Sequence, residues 1–203
     1  MSDAIPRSEK VTHYRALFMS DLHLGSQSPE MVGRLTLFLE KVTADHLYLV
    51  GDIVNGKREN VPADAIRALQ RTAPKVDYIY GNHDFLYAIG GMVSVDHVFH
   101  QTVDGRRLLV THGDKFDPLM NGWLIVFHAF QQNILSSFVR RNFLRKAKET
   151  ALGQGCQGVV CGHLHHPEIH QQRGFLYVNL GDFVHSFTAV AEHSDGRFEL
   201  LYG

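Results

Sequence analysis

The chain has 203 residues, a formal net charge of −1, and 44% hydrophobic and 20% charged residues, values typical of one globular domain spanning 1–203. A charge this close to zero excludes a general electrostatic attraction to nucleic acid or anionic lipid, and two cysteines exclude a disulfide framework. The polar stretch 1–10 lacks the apolar core of a signal peptide, so we expect a cytoplasmic protein.

The N-terminal half alternates predicted strands and helices. Residues 14–20 form an apolar run typical of a strand, and Ser28-Pro29-Glu30 combines a capping hydroxyl, a proline and an acid at a helix start. A second strand is predicted at 47–50, a helix from Pro62, and a third strand at 76–80. This β-α-β order predicts a parallel or mixed sheet.

The C-terminal half is richer in strands. Asp104-Gly105 predicts a hairpin turn, and Arg173-Gly174 and Asp195-Gly196 separate two further strand pairs, with another strand at 159–161. The apolar residues 85–91 have two interpretations, lining of a pocket or packing beneath a site, and the sequence does not separate them.

Residues 121–152 form the longest helical pattern, which could cover an active site. Its apolar residues recur every three or four positions and a cluster of basic residues follows them. Polar residues interrupt the apolar run, so a membrane span is not expected. Contact of 123–148 with the inner face of a membrane is one interpretation, and a core-packing helix with a solvated end is the favoured one.

Five short apolar runs end in polar clusters that contain Asp, Asn or His. The clusters are Asp21-Leu22-His23, Gly51-Asp52, Gly81-Asn82-His83-Asp84, His112-Gly113-Asp114 and Gly162-His163-Leu164-His165. Because ligands bind beyond the carboxyl ends of strands in open α/β sheets, these clusters predict one metal site assembled from the whole chain. Imidazole and oxygen ligands without thiolate suit Mn²⁺, Fe or Zn²⁺ rather than a Mg²⁺ or Ca²⁺ site made of oxygen alone.

These five motifs, in this order, resemble those of the calcineurin-like metallophosphoesterases. The resemblance runs from Phe18 to about Glu192 and implies an α/β fold of two packed mixed β-sheets flanked by helices, a metallophosphoesterase-like sandwich. Within the family, residues 21–26, 112–117 and 177–184 are most similar to the UDP-2,3-diacylglucosamine hydrolase branch. The resemblance implies hydrolysis of a phosphoester or pyrophosphate by a metal-bound hydroxide, with a phosphorylated small molecule or a lipid-nucleotide as substrate.

The resemblance also implies the role of each site residue. Two divalent ions, expected to be Mn²⁺ with Fe or Zn²⁺ as alternatives, would share Asp52. One ion would be held by Asp21, His23, Asp52 and His165, and the other by Asp52, Asn82, His112 and His163. His83 would face the substrate phosphate, oriented by Asp84. Asp114 and Asp182 would be either partners of the metal-bound histidines or turn carboxylates.

Two departures from the branch put its lipid substrate in doubt. Asn55 replaces a usual aspartate, and only 50 residues separate His112 from His163, where relatives carry a helical insertion that caps the lipid cleft. A phosphodiesterase or nucleotidase and a phosphoprotein phosphatase are therefore alternatives. A non-catalytic protein-binding scaffold, as in a retromer subunit, is an alternative of another class. No nucleic-acid partner is expected, and the sequence leaves the oligomeric state open.

Overall fold

The computed structural model describes residues 11–55, 58–84, 88–117 and 134–203. These ranges contain three α-helices, α1 (Pro29–Glu40), α2 (Ala63–Thr72) and α3 (Ile134–Gly153), and two short 3₁₀ turns, Arg58–Asn60 and Asp114–Phe116. The strands in chain order are β1 (Thr12–Met19), β2 (Val42–Val50), β3 (Lys75–Ile79), β4 (Ala88–Ile89), β5 (Met92–Val93), β6 (His97–Gln101), β7 (Arg107–Thr111), β8 (Gly158–Cys161), β9 (Glu168–Gln172), β10 (Phe175–Asn179), β11 (Thr188–Glu192) and β12 (Phe198–Tyr202).

The strands form two mixed sheets of five strands each. The first sheet has the order β12-β11-β1-β2-β3 and the second has the order β6-β7-β8-β10-β9. In the first sheet β1, β2 and β3 run parallel, and β11 lies antiparallel to β1. In the second sheet β7, β8 and β10 run parallel, between antiparallel edge strands. The predicted architecture of two packed mixed sheets with flanking helices is confirmed.

The side chains of β1 alternate between the two faces of its sheet, as strand geometry requires. Ala16 and Phe18 are buried against the second sheet, in a cluster that also contains Leu108, Val160 and Val178. Their neighbours on the other face of β1 belong to a separate cluster beneath α1 and α2. The apolar continuity of β1 thus reflects burial on both faces, which is typical of a strand inside a layered α/β fold.

Helix α3 covers the outer face of the second sheet. Phe143, Ala147 and Ala151 recur every four residues and are fully buried against that sheet. Arg140 forms an ion pair with Glu168, whereas the charged groups farther along the helix are largely exposed. This part of the helix fits the core-packing interpretation. Residues 121–133, in which the sequence predicts the start of the helix and a cover over the site, lie outside the described residues.

A buried polar cluster joins the two sheets beside the middle of β1, and we call it the inter-sheet network. Its side chains are Arg15, Tyr48, His100 and Glu192. Glu192, fully buried in the first sheet, is ion-paired with Arg15 and accepts a hydrogen bond of 2.8 Å from His100 of the second sheet. Arg15 also donates to the Gln101 carbonyl at 2.7 Å, so the network fixes one sheet relative to the other.

Local details agree with the sequence in most places. The Ser28 side chain accepts a hydrogen bond from the Met31 amide, which caps α1, and the predicted hairpins are present. The small β4–β5 hairpin was not predicted, because each of its strands has only two residues. It buries Ile89 beneath α2, which supports packing for this residue, while 85–87 lie outside the described residues. No described helix combines the length and the apolar character needed to span a membrane.

Candidate metal centre

The predicted ligands lie at one edge of the sandwich, where the carboxyl ends of parallel strands meet. Asp21 and Asp52 each lie two residues after a strand of the first sheet, and His112 directly follows β7 of the second. Contacts between side chains from both sheets bring seven predicted ligands together: Asp21, His23, Asp52, Asn82, His112, His163 and His165. The convergence that the five motifs predicted is therefore present in the structure.

The loops that carry these ligands have an unusual backbone. Five of the ligand residues have φ values between 46° and 66°, in the left-handed region: Asp21, His23, Asp52, His163 and His165. Such a conformation costs roughly 1–3 kcal/mol for each residue other than glycine and tends to cluster at functional sites. The loops after β1 and β2 support each other, because the Asp21 amide donates to the Gly51 carbonyl at 3.0 Å and the His23 amide donates to the Asp52 carbonyl at 2.9 Å.

Two motif glycines permit the close approach of these loops. A Cβ atom on Gly51, where φ is +79°, would lie 2.4 Å from the His112 ring. A Cβ atom on Gly81 would lie 2.3 Å from the amide nitrogen and from Oδ1 of Asp52. Both glycines thus leave space for ligand side chains from another strand, which explains why glycine accompanies the polar residues in these motifs.

One half of the centre is formed by Asp21, His23 and His165. One ligand atom from each side chain lies within 4.8 Å of the others, and Nε2 of His165 is 3.0 Å from Oδ1 of Asp21. Asp21 is fully buried and the histidines are half-buried, so this half opens toward solvent on its histidine side. A carboxylate with two imidazoles is a ligand set suited to a transition-metal ion.

The other half converges on the side-chain oxygen of Asn82. Nε2 of His112 and Nδ1 of His163 each lie 3.2 Å from Asn82 Oδ1, and His112 Nε2 is also 3.3 Å from Asp52 Oδ2. Ligands bound at about 2.0–2.2 Å from one ion stand roughly 3.0–3.5 Å apart, so these separations fit a common ion. Asp21, Asp52 and His112 also form a compact group, which places both carboxylates between the two halves.

The centre has buried negative charge beside which the described residues place no lysine or arginine ion pair. Asp21 and Asp52 are almost completely buried, and within the described part of the chain neither forms an ion pair with a lysine or arginine. Burial raises the pKa of Asp21, but the hydrogen bond from His165 and the nearby imidazoles lower it below its ordinary value overall. Burial likewise opposes protonation of His112, yet the hydrogen bond to Asp52 and the charges of Asp21 and Asp52 raise its pKa to about 10. Bound positive charge is thus favoured beside these carboxylates, as it would be from a divalent cation.

His83 and Asp84 have different surroundings. The His83 ring is exposed and lies edge-to-face with the His23 ring at a centroid distance of 5.3 Å, beside the centre. The Asp84 carboxylate is buried and accepts the backbone amides of Gly81, Asp52, Ile53 and Val54 at 2.8–2.9 Å. The implied pairing of Asp84 with the His83 ring is therefore wrong, because this carboxylate is used to tie the loop after β2 to the loop after β3.

The two other predicted carboxylates also differ from each other. Asp182 is buried, with Oδ2 3.9 Å from Nδ1 of His165, while its Oδ1 accepts the Val184 amide at 2.7 Å. Asp182 is thus both a turn carboxylate and a neighbour of a ligand histidine. Among the described side chains Asp114 makes no hydrogen bond to a ligand histidine, because it starts a 3₁₀ turn that carries Asp117 toward the site instead.

Three residues near the ligand histidines were not assigned this position from the sequence. Asp117 Oδ2 lies 3.1 Å from Nε2 of His163, and Asn55 Nδ2 lies 3.3 Å from Nδ1 of His23. The exposed His185 lies 3.6 Å from Asp182 and forms a further small group with Asp182 and His165. The sequence could have indicated Asp117 as a site residue, because it ends one of the motifs that resemble the hydrolase branch.

The fold and the ligand set define a metal-dependent phosphoesterase. The family model described as a calcineurin-like phosphoesterase superfamily domain matches residues 15–194, and the chain belongs to this superfamily. The strand-end motifs from Asp21 to His165 all lie inside the matched range.

Two relatives and one solved structure illustrate the likeness. The chain is similar to a UDP-2,3-diacylglucosamine hydrolase of Aeromonas salmonicida, 29% identical over 199 positions that cover 76% of this chain and 78% of the relative. A protein of the same name from Aliivibrio fischeri is 26% identical over 234 positions, covering 91% and 96%. The structure of a Vps29 single mutant from Entamoeba histolytica covers 92% of this chain and 96% of its own, with 13% identity and a TM-score of 0.54, which supports the fold alone.

Proposed function

We propose that this protein hydrolyses small phosphoesters or pyrophosphates at a centre of two divalent ions, with Mn²⁺ as the preferred metal. The observation that carries the proposal is the convergence of seven predicted ligand side chains, two of them buried carboxylates that form no ion pair with lysine or arginine within the described residues. Asp21, His23 and His165 would hold one ion, and Asn82, His112 and His163 the other. Asp52 lies beside His112, and we assign it the bridging position.

Besides the metal ions, the reaction requires a group that binds the phosphate and donates a proton, and His83 is the residue of this chain to which we assign both roles. When bound, two divalent ions would neutralise phosphate charge and lower the pKa of a coordinated water. The exposed ring of His83 lies at the rim, and among the described residues its side-chain contact is with the His23 ring. Its backbone amide donates to Oδ1 of Asp52 at 2.8 Å, which fixes its position relative to the ligands. We assign to this imidazole the binding of a phosphate oxygen and the donation of a proton to the leaving oxygen.

The substrate class follows from what the chain lacks relative to the relatives. The Aliivibrio alignment spans 234 positions although it includes 91% of a 203-residue chain, so the relative has segments that this chain does not. Two long acyl chains require an apolar groove, because each buried CH₂ contributes about 0.8 kcal/mol to binding. We therefore propose a small phosphoester or nucleotide-type substrate rather than the diacyl lipid in the relatives' name.

The test is a reconstitution followed by a substrate comparison. Metal-free protein is titrated with Mn²⁺ and assayed on bis(p-nitrophenyl) phosphate, and then on UDP-2,3-diacylglucosamine and its deacylated form. We expect activity to rise up to about two equivalents of metal, as a two-metal centre requires, with little preference for the acylated substrate. Asp195→Asn, which changes an exposed carboxylate in a remote turn, serves as the control.

Two results would contradict this function. Metal binding without hydrolysis of any phosphoester would favour the scaffold alternative. Strong selectivity for the acylated substrate would show that the chain forms a lipid groove, since burial of only a few CH₂ groups changes affinity by about a hundred-fold.

A further inference from the structure

We propose that Asp117 is the positioning residue of His163 and fixes the tautomer in which His163 can bind a metal ion. The proposal rests on the proposed function, because it concerns how one half of the metal centre is prepared. Nε2 of His163 lies 3.1 Å from Asp117 Oδ2, and Nδ1 of the same ring lies 3.2 Å from Asn82 Oδ1. The two ring nitrogens therefore point to different oxygen acceptors.

A neutral imidazole carries one proton, so these two acceptors compete for it. If Nε2 holds the proton and donates to Asp117, the lone pair of Nδ1 is directed toward Asn82 and His112, where a metal ion would bind. If Nδ1 holds the proton and donates to Asn82, that lone pair is lost. A carboxylate is a stronger acceptor than a side-chain amide, so Asp117 selects the tautomer that can bind the metal.

Asp117 is held in place by a turn that α3 supports. The turn begins at Gly113, where φ is 109°, and the Asp117 amide donates to the Asp114 carbonyl at 3.1 Å. Phe116 is buried and packs edge-to-face on Phe143 of α3 at 5.5 Å, and the Phe143 ring is nearly parallel to that of His163 at 6.3 Å. Phe116, which precedes the aspartate, and the imidazole thus both lie beside the Phe143 ring, which limits the relative movement of the turn and His163.

We call the group that lies beside the other ring nitrogen of a predicted ligand histidine its outer partner. The outer partners of the four histidines are not equivalent. His112 faces the Val50 carbonyl at 3.0 Å, and His23 faces the Asn55 amide at 3.3 Å. His165 has a carboxylate nearby, but Asp182 is 3.9 Å away. Among these pairs in the described residues, His163 with Asp117 is the one that joins a carboxylate to the outer nitrogen at hydrogen-bond distance. Removal of Asp117 should therefore affect one metal site much more than the other.

The first measurement reads the tautomer in metal-free protein. Long-range ¹H–¹⁵N spectra of the imidazole rings distinguish protonation at Nε2 from protonation at Nδ1. We expect the Nε2–H tautomer of His163 in the natural protein. In Asp117→Ala the Nδ1–H tautomer should take over, because Nδ1–H can then donate a hydrogen bond to Asn82 Oδ1 while Nε2 has lost its carboxylate acceptor. Asp117→Asn keeps an oxygen acceptor at this position and should retain the Nε2–H tautomer.

The second measurement is calorimetric titration with Mn²⁺. We expect Asp117→Ala to weaken one of the two metal equivalents by about 10–100-fold, the range found when outer partners of metal-bound histidines are removed. Asp117→Asn should restore most of that affinity. Asp96→Asn is the matched control, because Asp96 is ion-paired with Lys115 of the same turn and has no described contact with His163. The control should bind both equivalents like the natural protein.

The outcomes separate this inference from the proposed function. An unchanged His163 tautomer in Asp117→Ala, or equal weakening of both metal equivalents, would overturn the role of Asp117 while leaving the two-metal centre intact. Absence of Mn²⁺ binding by the natural protein would contradict the proposed function, whereas the tautomer measurement needs no metal and would still report on Asp117.

Discussion

The metal centre lies beyond the end of β1, the inter-sheet network lies beside the middle of that strand, and both are built from similar side chains. Both bury carboxylates against histidines that come from the facing sheet. The network contains a cation of its own, since Glu192 is paired with Arg15. At the centre, within the described residues, neither Asp21 nor Asp52 forms an ion pair with lysine or arginine. The cluster with an arginine counter-charge joins the sheets, whereas the cluster without a lysine or arginine partner in the described residues is the one we propose to bind cations from solution.

The comparison predicts that a carboxylate change at the centre abolishes function without unfolding the protein. Asp52→Asn should weaken Mn²⁺ binding at both sites. The loss should exceed the about 10–100-fold decrease in affinity that follows removal of the outer partner of a metal-bound histidine. Activity should fall accordingly, while the metal-free variant should remain folded, because an asparagine oxygen at this position can still accept the hydrogen bond from the His83 amide. Metal analysis and urea unfolding test the two statements. A variant that keeps both ions would contradict the bridging role.

Loss of His83 should separate chemistry from metal binding within the centre. His83→Ala should lower turnover by about 10²–10⁴-fold, the usual contribution of a positioned acid–base group. Its exposed side chain carries little of the packing, so metal content and stability should be almost unchanged. Turnover per bound Mn²⁺ is the quantity to measure. Unchanged turnover together with lost metal would identify His83 as a ligand instead.

The inter-sheet network should show the opposite behaviour. Glu192→Gln leaves Arg15 without its carboxylate partner and should reduce the free energy of unfolding by about 2–3 kcal/mol. Loss of one partner of a fully buried pair costs about 3–5 kcal/mol, and the expected cost is lower here because Arg15 is 32% exposed. Activity per folded molecule should stay the same. The control is Glu199→Gln, a largely exposed partner of Arg197, which should cost less than about 1 kcal/mol. Equal losses in both variants would contradict a special role for the network.

A smaller effect should appear when the difference in unfolding free energy between the natural protein and Glu192→Gln is measured at different pH values. Burial raises the pKa of Glu192, but hydrogen bonds from His100, the Val103 amide and Arg15 lower it below its ordinary value of 4.5 overall. The stabilisation by Glu192 is therefore fully present above pH 4.5 and is lost as the pH falls through the lower pKa of the folded state. The difference in unfolding free energy between the natural protein and Glu192→Gln should shrink in acid. An increase in acid would show that the sign is wrong.

Much of the metal centre was predictable because its signals are local. Asp21, Asp52 and His112 directly follow apolar runs, and a strand that ends in a polar residue delivers it to the edge of the sheet whatever its neighbours are. Glycine beside these residues marks places where two loops must approach closely, as Gly51 and Gly81 do. The sequence alone therefore indicated which strand-end side chains meet at this edge of the sandwich and, through resemblance, the superfamily.

The tertiary structure decided which side chain each of these residues contacts. Asp84 and Asp117 show this, since one ties two loops together and the other, rather than Asp114, faces His163. The pair of Arg15 with Glu192 joins residues 177 positions apart, which brings β11 beside β1 in the first sheet. Such contacts depend on strand order, on the turn after each strand and on the facing of two sheets, and these long-range arrangements leave no periodic pattern in the sequence that could be recognised.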